Sequence, residues 1–306
     1  MDSNRVTWNN IRKNGGLYLL LFPACILLIL FAYKPMYGVL IAFKNYRNAA
    51  GILGSPWAEP WYANFTKFFN SFQFANTVRN TLTLSVYGMI ATFPLPIILA
   101  LALNQMRRPL FKKVFQTITY LPHFISTVVM VGMILIVLSP GSGLIGQIWK
   151  LFGAVAPNLM GNPKAFSSVY VWSDVWQHTG WDSIIYLAAL AAIDPTLYEA
   201  AVIDGASKAQ MLRRIDFPLL LPTASILLIL RVGNTMNIGF EKVYLMQNNL
   251  NMVNSEVIST YVYRIGLLSA QYSYSAAINL FNTLINLILL ITVNQITKRL
   301  SEHSLF

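Results

Sequence analysis

Polar and aromatic side chains recur inside the apolar runs of this 306-residue chain, and their chemistry is recognition rather than bond-making. Asp174, Gln177, His178, Trp181 and Asp182 interrupt one run. Arg231, Asn234 and Asn237 punctuate a second, with Glu241 and Lys242 just beyond it. Asn279, Asn282 and Asn286 fall in a third. Steps of three or four place Asp174, His178, Trp181 and Asp182 on one helical face and the three later asparagines on one stripe. Amides both donate to and accept from hydroxyls. The flat faces of Trp172, Trp176 and Trp181 suit the apolar faces of sugar rings. As a set, these groups fit the lining of a wet cavity. Singly, each amide also fits an interhelical hydrogen bond, worth about 0.6 kcal/mol on average. Arg231 fits a pair with Glu241, a side chain snorkelling outward, or a selector for an acidic solute.

Catalytic patterns are missing. Gly141-Ser-Gly-Leu-Ile-Gly146 is followed by Gln147 where a phosphate-binding loop requires Lys. It reads as a turn after Pro140. The sequence has no HExxH, no CxxC and no GxSxG, and His123, His178 and His303 lie on separate segments. No metal site follows from their spacing, and an enzyme has little support. Solute moved uphill would draw its energy from a partner or an ion gradient.

The elements that carry these residues are membrane spans. The chain is 56% hydrophobic and 11% charged, where soluble domains hold roughly 25% charged residues. One cysteine, Cys25, excludes an internal disulfide. The net charge of +11 would suit nucleic acid if the basic residues shared one soluble face, but they sit between apolar runs. A bilayer core of about 30 Å needs roughly 20 apolar residues as helix. Six stretches meet that need: about 16–33, 80–103, 115–138, 169–193, 217–239 and 276–296. The first also resembles a signal peptide, but no small-residue cleavage site follows it, which favours an uncleaved span.

Lys and Arg set the expected orientation. Twelve of them fall in the N-terminal segment, the C-terminal tail and the two loops on the same side; seven fall in the longer loops opposite. Both termini are therefore expected in the cytoplasm. The organisation is a short segment 1–15, a six-span all-α membrane domain 16–296, and a tail 297–306. The outer loops are aromatic. Trp57, Trp61, Tyr62, Phe65, Phe68, Phe69, Phe72 and Phe74 crowd one segment, as an interfacial belt or a docking surface for an external partner.

One inner loop, 194–218, has local design. Asp194 caps a helix with Pro195 at its first position. Gly205 permits a break, Ser207-x-x-Gln210 fits a capping box, and Pro218 marks entry into the fifth span. The loop reads as two short helices lying against the inner face of the membrane.

Glu199-Ala200-Ala201, Gly205, Ile215 and Phe217-Pro218 resemble the EAA loop of binding-protein-dependent ABC importer permeases, with Phe217 where Leu is usual. The motifs Tyr33-Lys-Pro-Met-Tyr-Gly38, Tyr120-Leu-Pro-His-Phe-Ile-Ser126 and Gly239-Phe-Glu-Lys-Val-Tyr-Leu245 resemble the LplB-like subgroup, and Asn64-Phe65, Phe69, Phe74 and Asn80-Thr81-Leu82 resemble the approach to the second span in sugar permeases. The resemblance covers nearly the whole chain. It implies the six-span fold of a type I importer in the bacterial plasma membrane and uptake of oligosaccharides or polysaccharide fragments. It also implies a homologous second permease, two ATP-binding subunits and an extracellular solute-binding protein. ATP and Mg would be bound by the partner ATPase, with no cofactor in this chain and no nucleic acid. Glu199, Ala200, Ala201, Asp204 and Gly205 would couple to that ATPase. His178, Trp181, Arg231, Asn234, Asn237, Asn279, Asn282 and Asn286 would line the solute pathway. The rival readings are a permease for another solute, a scaffold, or an ion-driven carrier. The sequence shows neither the inverted repeat nor the interrupted spans frequent in ion-driven carriers.

Overall fold

The computed structural model describes residues 14–106, 108–233, 236 and 238–300. Asn234, Asn237, the basic residues Arg5, Arg12, Lys13 and Arg107, and most of both terminal segments lie outside the described residues. Among the described residues the elements are helical, with a single bridge between Lys44 and Trp57.

Four helices are long and apolar enough to cross a membrane: α1 (Gly15–Phe43), α3 (Phe72–Asn104), α9 (Lys208–Gly233) and α12 (Tyr272–Leu300). Two further helices pass the same test together with the helix that follows each across a sharp bend: α4 (Pro109–Phe124) with α5 (Thr127–Val137) at 99°, and α7 (Pro163–Ala191) with α8 (Pro195–Ile203) at 69°. Between α1 and α3 lies the short α2 (Ala63–Phe69), and between α5 and α7 the short α6 (Leu144–Leu151). After α9 come α10 (Phe240–Met246) and α11 (Ile258–Tyr263). No residue of Gly15–Leu28 is buried. Such an all-round apolar helix has no preferred face against its own fold, as expected for one surrounded by lipid or by other chains.

Helix α7 is the axis of the bundle. It packs along both halves of α3 and touches α4 and α9. At one end Leu84, Val131, Phe166, Val171 and Val243 form a core joining α3, α5, α7 and α10. At the end carrying α8, Leu101, Tyr186, Leu190, Leu220 and Ala224 seal α3, α7 and α9 together. A third core joins Phe68, Met236, Ile258, Tyr261, Tyr274 and Ile278. The aromatic segment before α3 divides between roles. Phe68 is buried, and Phe68, Phe69 and Phe74 surround Phe281 of α12 at centroid distances of 5.6, 5.5 and 6.0 Å, while Trp57 and Trp61 stay exposed. The Asn80-Thr81 motif pins an outer segment: Asn80 Nδ2 donates to the Val253 and Glu256 carbonyls, and Thr81 Oγ1 accepts from Ile258 N.

The expectation of one unbroken helix over 115–138 is corrected. The chain bends by 99° between Phe124 and Thr127. Pro122 has no N–H to give to a helix, the turn tightens over Leu121–Phe124, and Ile125 is extended at φ −75°, ψ 126°. Ser126 then caps α5 by accepting from Val129 N. A break at membrane depth is tolerated only where protein satisfies the freed backbone. Helix α7 does so: Gln177 Nε2 donates to the Ile125 carbonyl at 2.9 Å. Close approach is possible because position 180 is glycine. A Cβ there would meet the Thr119 carbonyl oxygen at 2.0 Å. The described helix of the fifth span runs to Gly233, Met236 lies in a turn, and the chain is helical again as α10 from Phe240.

The contact at Gly180 is backbone against side, so it cannot yield by a rotamer change. Gly180→Val is expected to lower stability by about 1–3 kcal/mol through overpacking, whereas Gly132→Ala, with open space around it, should be nearly neutral. Thermal unfolding in detergent checks this; equal midpoints for the two variants would refute the close packing of α7 on α4.

Candidate functional site

Helices α3, α7 and α9 diverge around a cleft of about 580 Å³. Its polar wall is built by the four-residue repeat of α7. Asp174, His178 and Asp182 face the cleft with Tyr170, opposite Ser85 and Thr92 of α3 and Arg231 of α9. Two ion-pair levels stand about 12 Å apart along α7, eight residues at 1.5 Å each. At the first, Asp174 Oδ1 lies 3.1 Å from Lys242 Nζ and 3.4 Å from His178 Nδ1. The Lys242 side chain is only 7% exposed and lies over the Tyr170 ring at 4.9 Å. At the second, Arg231 pairs with Asp182 and donates through Nη1 to Thr92 Oγ1 at 2.7 Å, tying three helices together.

Buried charge is retained where a partner and hydrogen bonds offset its desolvation. With both acids and both bases paired, these four residues contribute no net charge. What remains is a wall of carboxylate, guanidinium, imidazole, phenol and hydroxyl groups that can exchange hydrogen bonds with a polyhydroxylated solute.

The sequence-derived lining is only partly gathered here. His178 and Arg231 border the cleft. Arg231 takes Asp182 as its partner rather than Glu241. Trp181 turns to the neighbouring face, stacked on His123 with centroids 4.4 Å apart and planes 1° from parallel. There it braces the break between α4 and α5. Trp172 and Trp176 border a separate apolar hollow against Met130, Met133 and Ile134 of α5, and Trp172 Nε1 donates to Tyr87 Oη at 2.8 Å. Asn279 is exposed. Asn282 and Asn286 are buried in α12 away from the cleft, and Asn286 Oδ1 accepts from Met236 N at 2.9 Å. Because α12 packs mainly on the end of α1 (Tyr37–Phe43), α9, α2 and α11 rather than on α7, its stripe faces another seam. Thr92 and Tyr170 were missed; a lone threonine or tyrosine in an apolar run carries little signal.

The 194–218 loop forms as its residues dictate. Asp194 Oδ1 accepts from Thr196 N at 2.9 Å with Pro195 at the first helical position, and that bond holds the Asp194 carboxyl below its ordinary range. Gly205 turns the chain at φ +73°. Ser207 and Gln210 complete both halves of the capping box. Glu199, Ala200, Asp204 and Gly205 are exposed, Ala201 half-buried, and beside them Leu197, Val202 and Ile203 present apolar surface, Ile203 at 86% exposure. Below α8, a wide turn over Leu212–Asp216 carries the Asp216 side chain into the protein. Asp216 Oδ1 accepts from Tyr198 Oη, and Oδ2 from Gln105 Nε2 at 2.8 Å. Burial and the adjacent Asp216 carboxylate push the Tyr198 phenol up to about 12, so it keeps the proton it donates.

Comparison with known proteins agrees with this architecture. The family described as "Binding-protein-dependent transport system inner membrane component" matches residues 92–302. The polygalacturonan/rhamnogalacturonan transport system permease protein YteP of Bacillus subtilis (strain 168) is 40% identical over 290 residues, covering 95% of this chain and 90% of that protein. Protein LplB of the same organism is 38% identical over 296 residues, covering 97% and 92%. A chain from the crystal structure of a bacterial alginate ABC transporter, in complex with an alginate pentasaccharide-bound periplasmic protein, superposes with a TM-score of 0.89. It is 36% identical and covers 98% of this chain and 100% of its own.

The Arg231–Asp182 pair makes a separable prediction. Arg231→Met leaves Asp182 facing the cleft without its cation. Because the two side chains are 33% and 27% exposed, the cost is expected to be about 1–2 kcal/mol, below the 3–5 of a fully buried pair. Arg231→Met combined with Asp182→Leu should recover at least half of that loss. Midpoints of thermal unfolding in detergent measure both; additive losses would show that the two residues do not interact.

Proposed function

The chain belongs to the binding-protein-dependent family of ABC importer permeases, multi-pass membrane proteins, and on that premise we propose that it imports oligosaccharides or polysaccharide fragments. The solute would arrive on an extracellular binding protein and leave into the cytoplasm. The complex would sit in the bacterial plasma membrane, with both termini and the 194–218 loop on the cytoplasmic side. A homologous permease would complete the pathway. Two ATP-binding subunits would bind ATP and Mg and perform the hydrolysis, leaving this chain as the part that converts their closure into gating.

The observation that carries this reading is the loop itself. A helix capped at its start and turned at its end by Gly205 holds Leu197, Val202 and Ile203 outward beside Glu199. Apolar groups held in water on an ordered element suit docking to another protein. The cleft supports the solute class, since its paired acids and bases offer many hydrogen bonds with no uncompensated charge. Two of the relatives point to acidic polymers, one named for polygalacturonan/rhamnogalacturonan and the other from an alginate importer. In such a wall Arg231 and Lys242 can meet a carboxylate by releasing Asp182 or Asp174.

Alternating access requires that the partners contact the two states differently. Helix α8 is continuous in chain with α7 at one end and α9 at the other, so its displacement moves two walls of the cleft. Gly205→Asp should lower ATP-dependent uptake at least tenfold with membrane insertion unchanged, because any Cβ at φ +73° adds strain and the added carboxylate shifts the docking face. Uptake by inside-facing vesicles containing the partner subunits measures this; normal uptake by the variant would contradict the docking role. For the function itself, the complex reconstituted with its binding protein should hydrolyse ATP faster when uronate-bearing oligosaccharides are supplied. Full-speed uptake driven by an ion gradient without nucleotide would overturn the proposal.

A further inference from the structure

We propose that Asp216 is the joint through which movement of the coupling helix α8 reaches α3. This rests on the coupling role proposed above for the 194–218 loop. Helix α8 has no buried residue, so apolar packing gives it no firm footing on the bundle. Its motion reaches α7 and α9 through the chain, and the core around Leu101, Leu190 and Leu220 seals α3 to both. Helix α8 itself meets α3 through polar groups: Tyr198 interacts with the Asn104 side chain at the end of α3, and Asp216 adds the buried link. Its side chain is fully buried at the base of α9, and its two oxygens accept separately from Tyr198 of α8 and from Gln105, 111 residues away, at the end of α3.

From that end α3 runs back to the cleft as one span, its helix interrupted at Phe93 before Pro94. Thr92, bonded to Arg231, lies 13 residues from Gln105, about 20 Å along the axis. Leu84, Ser85, Gly88 and Met89 of α3 line the cleft beyond it. A pull on Tyr198 is thus delivered to the third wall of the cleft, so that all three move together. The acceptor geometry, not the charge, does this. An asparagine at 216 keeps both bonds if the Gln105 amide turns over, because the amide then accepts where it had donated. A leucine keeps neither.

The test uses the complete complex reconstituted with its ATP-binding subunits and binding protein, measuring ATP hydrolysed per solute imported. Tyr198→Phe and Gln105→Met, each removing one arm with little change of volume, should raise that ratio at least threefold. Asp216→Leu should raise it at least tenfold, and Asp216→Asn should stay within twofold of the unaltered protein. Recovery of the ATP-binding subunits on purification should be equal for all. A merely structural role would lower hydrolysis and import in the same proportion and leave the ratio unchanged; that result in Tyr198→Phe and Gln105→Met would overturn the proposal even if Asp216→Leu failed to fold. Failure of the unaltered complex to couple import to ATP would instead overturn the proposed function.

Discussion

A charged side chain surrounded by hydrocarbon must find its counter-charge within the protein, and most of this structure follows from how α7 meets that demand. Asp174 and Asp182 lie two helical turns apart on one face. Each draws a cation from a different element: Lys242 from α10 and Arg231 from α9. The pairs hold α9 and α10 around α7 without filling the space between them. A cleft bounded by charge therefore stays open where leucines would have closed it. The same face cannot also pack apolar neighbours, which is why the tight cores gather above and below it, around Val171 at one level and Leu190 at the other.

The adjoining face of α7 performs a second service. Gln177, Gly180 and Trp181 receive the broken segment between α4 and α5 by a backbone hydrogen bond, a close approach and a ring stack. A break at membrane depth leaves carbonyls that lipid cannot satisfy. Its repair makes α7 the common support of the break and the cleft.

The loop that joins α7 to α9 is built on different physics. Its helices are fixed by local hydrogen bonds, at Asp194, Gly205 and the Ser207–Gln210 box, and its apolar side chains are left outward. It is ordered without being buried, and its outward apolar side chains are the kind of surface that docking elements present. Asp216 is its fully buried residue, and its Oδ2 accepts from Gln105 at the end of α3.

The sequence by itself determined what depends on near neighbours. Hydropathy located four runs that form long single helices and two that form bent pairs, and capping chemistry drew the 194–218 loop with its turn at Gly205, because a helix end is satisfied by residues two to four positions away. The EAA pattern and the Tyr120–Ser126 motif were visible for the same reason. Tertiary structure alone decided what depends on facing. Helical spacing put Trp181 with Asp174, His178 and Asp182, but a face is more than 100° wide, and only the position of His123 turned the indole away. Arg231 had Glu241 ten residues off as a legible partner, yet took Asp182, 49 residues away, since distance in space and not along the chain sets an ion pair. The stripe of Asn282 and Asn286 was real, but which seam it faces depends on where α12 docks, and its contact with the Met236 backbone fixes it away from the cleft. The break at Ile125 needed Pro122 to permit it and Gln177, on another helix, to pay its cost; the first is written in the local sequence, and the second exists only once the helices have packed.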